Sequence, residues 1–229
     1  MENLKQTLEK FLKEQKERLA KSTYNKYDDV ITLFEHYLNG YGYQYLDEEN
    51  HETYEKMMYS KNKQYCEVFT IEQIGPGELD EFMTYFMIRK VMSSKELLKN
   101  TGTVLRKFIK WLKENSYIDD KKFDILYSEV NENKDDLPKV EELADLFFEN
   151  GRRNSFYEYE EYEEDNFQIS KIGKGKLWLE SFMEENKNVG PVKVTEEISS
   201  LAQEGWLVYL VLGKSGKNWY IIESGNVYP

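Results

Sequence analysis

The chain has 229 residues, 40% of them apolar and 15% aromatic, which suffices for one large or two small packed domains and argues against wholesale disorder. Its 43 Asp and Glu outnumber 31 Lys and Arg for a net charge of -12, which excludes a uniform attraction to phosphate. The single cysteine, Cys66, excludes an internal disulfide framework and fits a reducing compartment.

Residues 1–20 are heavily charged and hold no apolar h-region, so no signal peptide is expected. The most apolar runs, 82–88 and 207–212, are too short to span a bilayer, and the protein reads as cytoplasmic. Leu4, Leu8, Phe11, Leu12 and Leu19 recur at helical spacing. Ser22 or Thr23 is a suitable N-cap for a second helix that carries Tyr24, Tyr27, Ile31, Phe34 and Leu38 and stops near Gly40. The stretch 41–68 is polar, tyrosine-rich and weakly periodic, and reads as a long insertion holding one helix at most.

Gly75-Pro76-Gly77 punctuates the chain, with Pro76 suited to a helix start, and Leu79, Phe82, Met83, Phe86 and Met87 then form an apolar stripe. A helix is predicted over 103–114, where Leu105, Phe108, Ile109 and Leu112 alternate with Arg106, Lys107, Lys110 and Lys113. A short helix is expected over 123–130. Leu137-Pro138 opens another over 140–148, which Asn150-Gly151 closes in the manner of a glycine C-cap.

The tract Tyr157-Glu158-Tyr159-Glu160-Glu161-Tyr162-Glu163-Glu164-Asp165 reads as an acidic linker over 151–166. Beyond Phe167 the period changes to two, predicting strands over 168–172, 176–182, 189–194, 206–212 and 218–223. A short helix over 195–203, capped by Thr195, separates the third strand from the fourth. Five strands of this size hide their edges best by closing. The expectation is an α+β chain of two domains: a helical one over 1–150 and a small five-stranded β-barrel over 167–229, OB-like or alternatively SH3-like.

Charge is unevenly spread. Residues 89–113 hold eight Lys and Arg against one acid, Glu96, whereas 136–166 hold eleven acids against three bases. Lys99, Arg106, Lys110 and Lys113 fall on one broad helical face, as phosphate contacts would, with Lys107 beside them. A solvated face of an amphipathic helix is the plainer reading of the same pattern. The acidic tract lacks the ordered ligand spacing and turn glycine of a calcium loop, so no metal is expected. Trp178, Phe182, Trp206, Tyr209, Trp219 and Tyr220 serve the core or form a base-stacking platform. Both faces of the strand around Trp206 are apolar. His36 and His51 have no partner ligand near in sequence. Gly173-Lys174-Gly175-Lys176 is a hairpin-like turn without the helix a phosphate loop needs, so no cofactor is expected.

Three stretches carry a family resemblance. They are Ser22-Thr23-Tyr24-Asn25-Lys26-Tyr27 with Phe34 and Leu38, Gly75-Pro76-Gly77-Glu78-Leu79 with Phe82, and Leu105-Arg106-Lys107-Phe108-Ile109-Lys110-Trp111-Leu112 with Tyr117 and Ile118. Together they resemble the core-binding, SAM-like domain of tyrosine recombinases and phage integrases. Leu137-Pro138-Lys139-Val140-Glu141-Glu142-Leu143 resembles the linker into the catalytic domain of those enzymes. The resemblance implies a helical domain that clasps duplex DNA through the basic helix. Recombinase chemistry further needs arginines, a histidine and a lysine around a phosphate, with a tyrosine nucleophile. After the linker-like segment only Arg152 and Arg153 occur and no histidine at all, so strand cleavage is not expected.

The sequence thus points to a non-catalytic DNA-associated protein, with DNA-binding residues Lys99, Arg106, Lys107, Lys110 and Lys113. The alternative is a protein-interaction adaptor that no longer binds DNA and meets a protein partner through the barrel. No membrane partner and no enzyme activity are expected.

Overall fold

A computed structural model describes residues 2–91 and 94–229, which divide into two compact units, Met1–Asp135 and Asp136–Pro229. The first is helical. α1 (Leu4–Arg18) opens with a reciprocal capping box between Asn3 and Gln6 and buries Leu4, Leu8 and Phe11. α2 (Lys21–Tyr41) buries Tyr27, Val30, Ile31, Phe34, Tyr37 and Leu38 at three-to-four spacing. It begins earlier than the expected caps: Ala20 is the N-cap with no side-chain bond, and Ser22 and Thr23 lie in the first turn.

The stretch 41–68 is part of the fold. A 3-10 turn, Gly42–Tyr45, leads to α3 (Glu48–Lys61), capped by the Asp47 carboxylate, and then to α4 (Tyr65–Val68). Tyr65 and Cys66 are fully buried. Gly42 packs against this ring: a Cβ on it would stand 3.0 Å from Tyr65. Weak periodicity hid this because α3 buries only Tyr54, while the core contribution comes from a single turn.

After a 3-10 turn, Ile71–Gln73, α5 (Pro76–Glu81) runs through a π-helical turn, Phe82–Phe86, into α6 (Met87–Arg89), burying Leu79, Phe82, Met83 and Met87. α7 (Lys95–Glu114) starts at Ser94, earlier than the predicted 103, because Leu98 and Thr101 extend its buried stripe. α8 (Asp120–Asn133), capped by Asp119, folds back antiparallel to α7. Gly102 permits their contact: a Cβ there would lie 2.5 Å from the Lys134 Cβ and 3.1 Å from its Cα.

The second unit is a sheet with helices. α9 (Leu137–Asn154) does not end at Asn150-Gly151; Gly151 lies inside the helix. A Cβ at Gly151 would stand 2.7 Å from the Ile222 carbonyl oxygen, so the glycine serves close helix-to-strand packing, not capping. The Asn154 side chain adds a hydrogen bond to the Ile221 carbonyl at 3.0 Å. α9 therefore belongs with the sheet. The division between units falls at Asp135–Asp136 instead of after residue 150, and no linker occupies 151–166.

β1 (Glu161–Gly173) absorbs most of the acidic tract, a second correction. Its carboxylates meet donors: Lys187 reaches Glu163 at 2.5 Å, Lys214 reaches Glu161 at 2.7 Å, and the Tyr209 hydroxyl donates to Glu164 at 2.6 Å. Because that half of the strand is polar on both faces, no alternation betrayed it. β2 (Lys176–Ser181), β3 (Asn188–Lys193), α10 (Glu196–Leu201), β4 (Leu207–Ser215) and β5 (Asn218–Tyr228) follow. The mixed five-stranded sheet pairs in the order β1-β2-β3-β5-β4, β4 pairs back with β1, and only β3 and β5 run parallel. Phe167, Ile169, Leu177, Leu179, Leu210 and Ile221 point inward, each fully buried. Trp206 and Trp219 are buried too, while Phe182 is 67% exposed and takes no part in the core. Among the described residues no helix is long and apolar enough to cross a membrane.

Two glycines in helices should respond oppositely to alanine. Gly151→Ala should destabilise by about 1–3 kcal/mol through the backbone clash. Gly40→Ala, where a Cβ meets nothing within 4 Å, should stabilise by up to about 1 kcal/mol. Chemical denaturation checks both. Burial pushes the Cys66 thiol well above its ordinary range. A disulfide reagent at pH 8 should leave it untouched in the native protein and modify it fully in guanidinium.

Candidate nucleic-acid interface

Along α7 the 3.6-residue period stacks Lys99, Arg106, Lys110 and Lys113 on one face, and places Lys107 about 100° round from Arg106. That face meets α8, where Phe123 and Tyr127, one turn apart, stack with centroids 5.1 Å apart at 18°. The Arg106 Nη2 donates to the Tyr127 hydroxyl at 2.9 Å, and its guanidinium carbon lies 5.4 Å from that ring's centroid. Lys110 Nζ stands 5.3 Å from the same centroid. Lys113 Nζ stands 4.3 Å from the Phe123 centroid and 2.9 Å from Asp120.

Each cation-over-ring contact contributes roughly 0.5–1 kcal/mol at such partly exposed positions. Their larger effect is geometric, since the long side chains are held along the seam between the helices. The hydrogen bond from Arg106, aided by Lys110, draws the Tyr127 phenol below its usual value. Arg106 keeps its Nε buried without a hydrogen-bond partner.

The structure thus gathers Arg106, Lys110 and Lys113 with Lys99 further along the same face; Lys107 is exposed to one side. Among the described residues, Lys99, Arg106, Lys107 and Lys110 form no ion pair. Glu96, the one acid among them, is taken by Lys26 at 2.7 Å, and Asp120 offsets Lys113. Sequence reasoning did not select Phe123 and Tyr127, although their i, i+4 spacing after a run of basic residues was the available signal.

Elsewhere, Arg152 is engaged by Glu149 at 2.9 Å, and His51 packs edge-on to Tyr43. Among the described residues no three His, Cys, Asp or Glu side chains gather as a metal-binding group.

Replacing Arg106 by Met should return the Tyr127 phenol toward its normal range, seen as a rise in one tyrosine titration in difference spectra. Because the folded-state value is depressed, the associated stability is present at pH above the ordinary phenol value and is lost as pH falls through the folded one. An unchanged titration in the variant would show that the seam is not formed. Comparison of the chain with family models, with curated proteins and with solved structures finds no match.

Proposed function

We propose that this is a non-catalytic, DNA-associated protein whose helical unit is of the recombinase core-binding, SAM-like type. In this reading Lys99, Arg106, Lys107, Lys110 and Lys113 contact the phosphates of duplex DNA. The observation that supports it is the row of α7 cations ordered over the α8 rings, with acids displaced from all but Lys113. Beyond the stability these contacts give the helix pair, a backbone grip gains preorganisation from the ordering. The acidic total does not oppose this, because 25 of the 43 acids share the first unit with 21 bases and the α7 face is locally positive. We assign the second unit to the OB type of closed sheet, on its strand order and on the helix between β3 and β4.

A protein-interaction adaptor is the second reading, favoured by exposed Phe156, Phe182 and Met183, at 89%, 67% and 76% exposure.

Fluorescence anisotropy with a labelled random-sequence duplex separates the two. Five phosphate contacts predict a log-log salt slope of about -4 to -5, a loss of some hundredfold or more between about 50 and 200 mM salt. The triple variant Arg106→Glu, Lys107→Glu, Lys110→Glu should abolish binding. Retained affinity in that variant would refute the assignment of this surface, and no binding at the lower salt would favour the adaptor.

A further inference from the structure

On the outer face of the closed sheet, a second set of cations and rings is laid out by strand register. Lys171 on β1 is the direct partner of Trp178 on β2, and its Nζ stands 5.1 Å from the indole centroid. Two residues back along β2, Lys176 is opposite Lys193 on β3. Lys193 is in turn opposite Tyr220 on β5, its Nζ 5.9 Å from that ring. Alternation along β2 turns Leu177 and Leu179 inward, so these five side chains share the outward face. Strand spacing puts the row Lys176, Lys193, Tyr220 across about 10 Å, with Trp178 about 7 Å along β2.

Three features of this face point to a ligand. Trp178 lies against the sheet where Gly173 and Gly190 leave it room: Cβ atoms there would stand 3.0 and 2.8 Å from its ring. A large ring is thus held against the surface without entering the core. Next, Lys176 and Lys193 face each other directly across two strands, a like-charge pair that costs stability. Neither they nor Lys171 forms an ion pair among the described residues. Finally, Glu196 is held by Lys174 at 3.2 Å, Glu180 occupies the next outward position of β2, beyond Trp178, and Glu158 lines a pocket with Tyr220 at the far end of the row from Trp178. Unpaired cations interleaved with half-exposed rings match a chain of phosphates carrying flat bases.

We propose that this face binds single-stranded nucleic acid, with Lys171, Lys176 and Lys193 on phosphates and Trp178 and Tyr220 against bases. The site is separate from the α7 seam and does not depend on it.

The test uses the full chain and fluorescein-labelled 15-nucleotide probes, oligo(dT) and oligo(U), with a mixed-sequence duplex, at about 50 mM salt. Single-strand binding should quench tryptophan fluorescence. The triple variant Lys171→Ala, Lys176→Ala, Lys193→Ala changes only exposed side chains and should weaken it about tenfold or more. An unchanged circular-dichroism spectrum should show that the variant keeps its fold. Trp178→Leu should weaken binding about tenfold and remove the quenching. Arg106→Glu with Lys110→Glu should leave single-strand binding within twofold, even if duplex binding is lost. A preference for either oligonucleotide upholds the proposal and names the strand. The proposal is overturned if the wild-type chain binds neither, if the triple variant binds within twofold of wild type, or if the α7 variant alone abolishes binding.

Discussion

The aromatic ring with a carboxylate at its rim and a cation on its face is the contact on which this molecule depends. A chain with 43 acids and 18 tyrosines has to place carboxylates beside its own cores. It does so by giving them ring-borne donors. Tyr37 and Tyr45 both donate to Glu81, at 2.7 and 3.0 Å, and Trp111 donates its indole N–H to Glu14 at 2.6 Å. Burial, seconded by Glu81, pushes the Tyr45 phenol up to about 12, so it remains a donor throughout the neutral range. Tyr117 shows the whole arrangement on one ring, with its hydroxyl on Glu2 and Lys10 over its face.

The cation half of the motif does the converse. Lysine and arginine stems lie along ring faces, where they cover apolar surface while the charged heads stay near water. In the helical unit this produces the ordered α7 row, and in the sheet unit the lysines over Trp178 and Tyr220. Rings brought so close to backbone need neighbours without side chains. Gly213 illustrates this, since a Cβ there would run into the Tyr159 ring. Several glycines of this chain are therefore packing residues, not turn residues.

That distinction explains what could be read from the sequence. The helices of α2 and α7 and the strands β2 to β5 announced themselves because their apolar residues recur at the period of the element. The residues Lys99, Arg106, Lys110 and Lys113 were found on one face for the same reason. Gly151 was misread as a cap because a glycine after Asn near a helix end looks the same whether its neighbour is solvent or Ile222. The 41–68 stretch hid a core contribution made by Tyr54, Tyr65 and Cys66, and β1 hid behind its glutamates. In both, the partners that make the pattern intelligible lie well away in sequence: Gly42 against Tyr65, and Lys187, Tyr209 and Lys214 beside β1. The rings beneath the basic row are spaced i, i+4 in the sequence, but their pairing with the row follows only from α8 folding back on α7.

The placement of α9 bears on how the molecule can be taken apart. Cutting in the acidic tract, where composition invites it, would strip β5 of the helix seated on it and shorten β1 from its amino end. The remnant would expose Ile222 and the carbonyl of Ile221 and leave Lys214 and Tyr209 without their acids. The severed helix, amphipathic and carrying buried Leu143 and Phe147, would be left with its apolar face uncovered. A nick between 155 and 160 would thus part α9 from the sheet it packs on, whereas a nick beside Asp135 would leave the two joined.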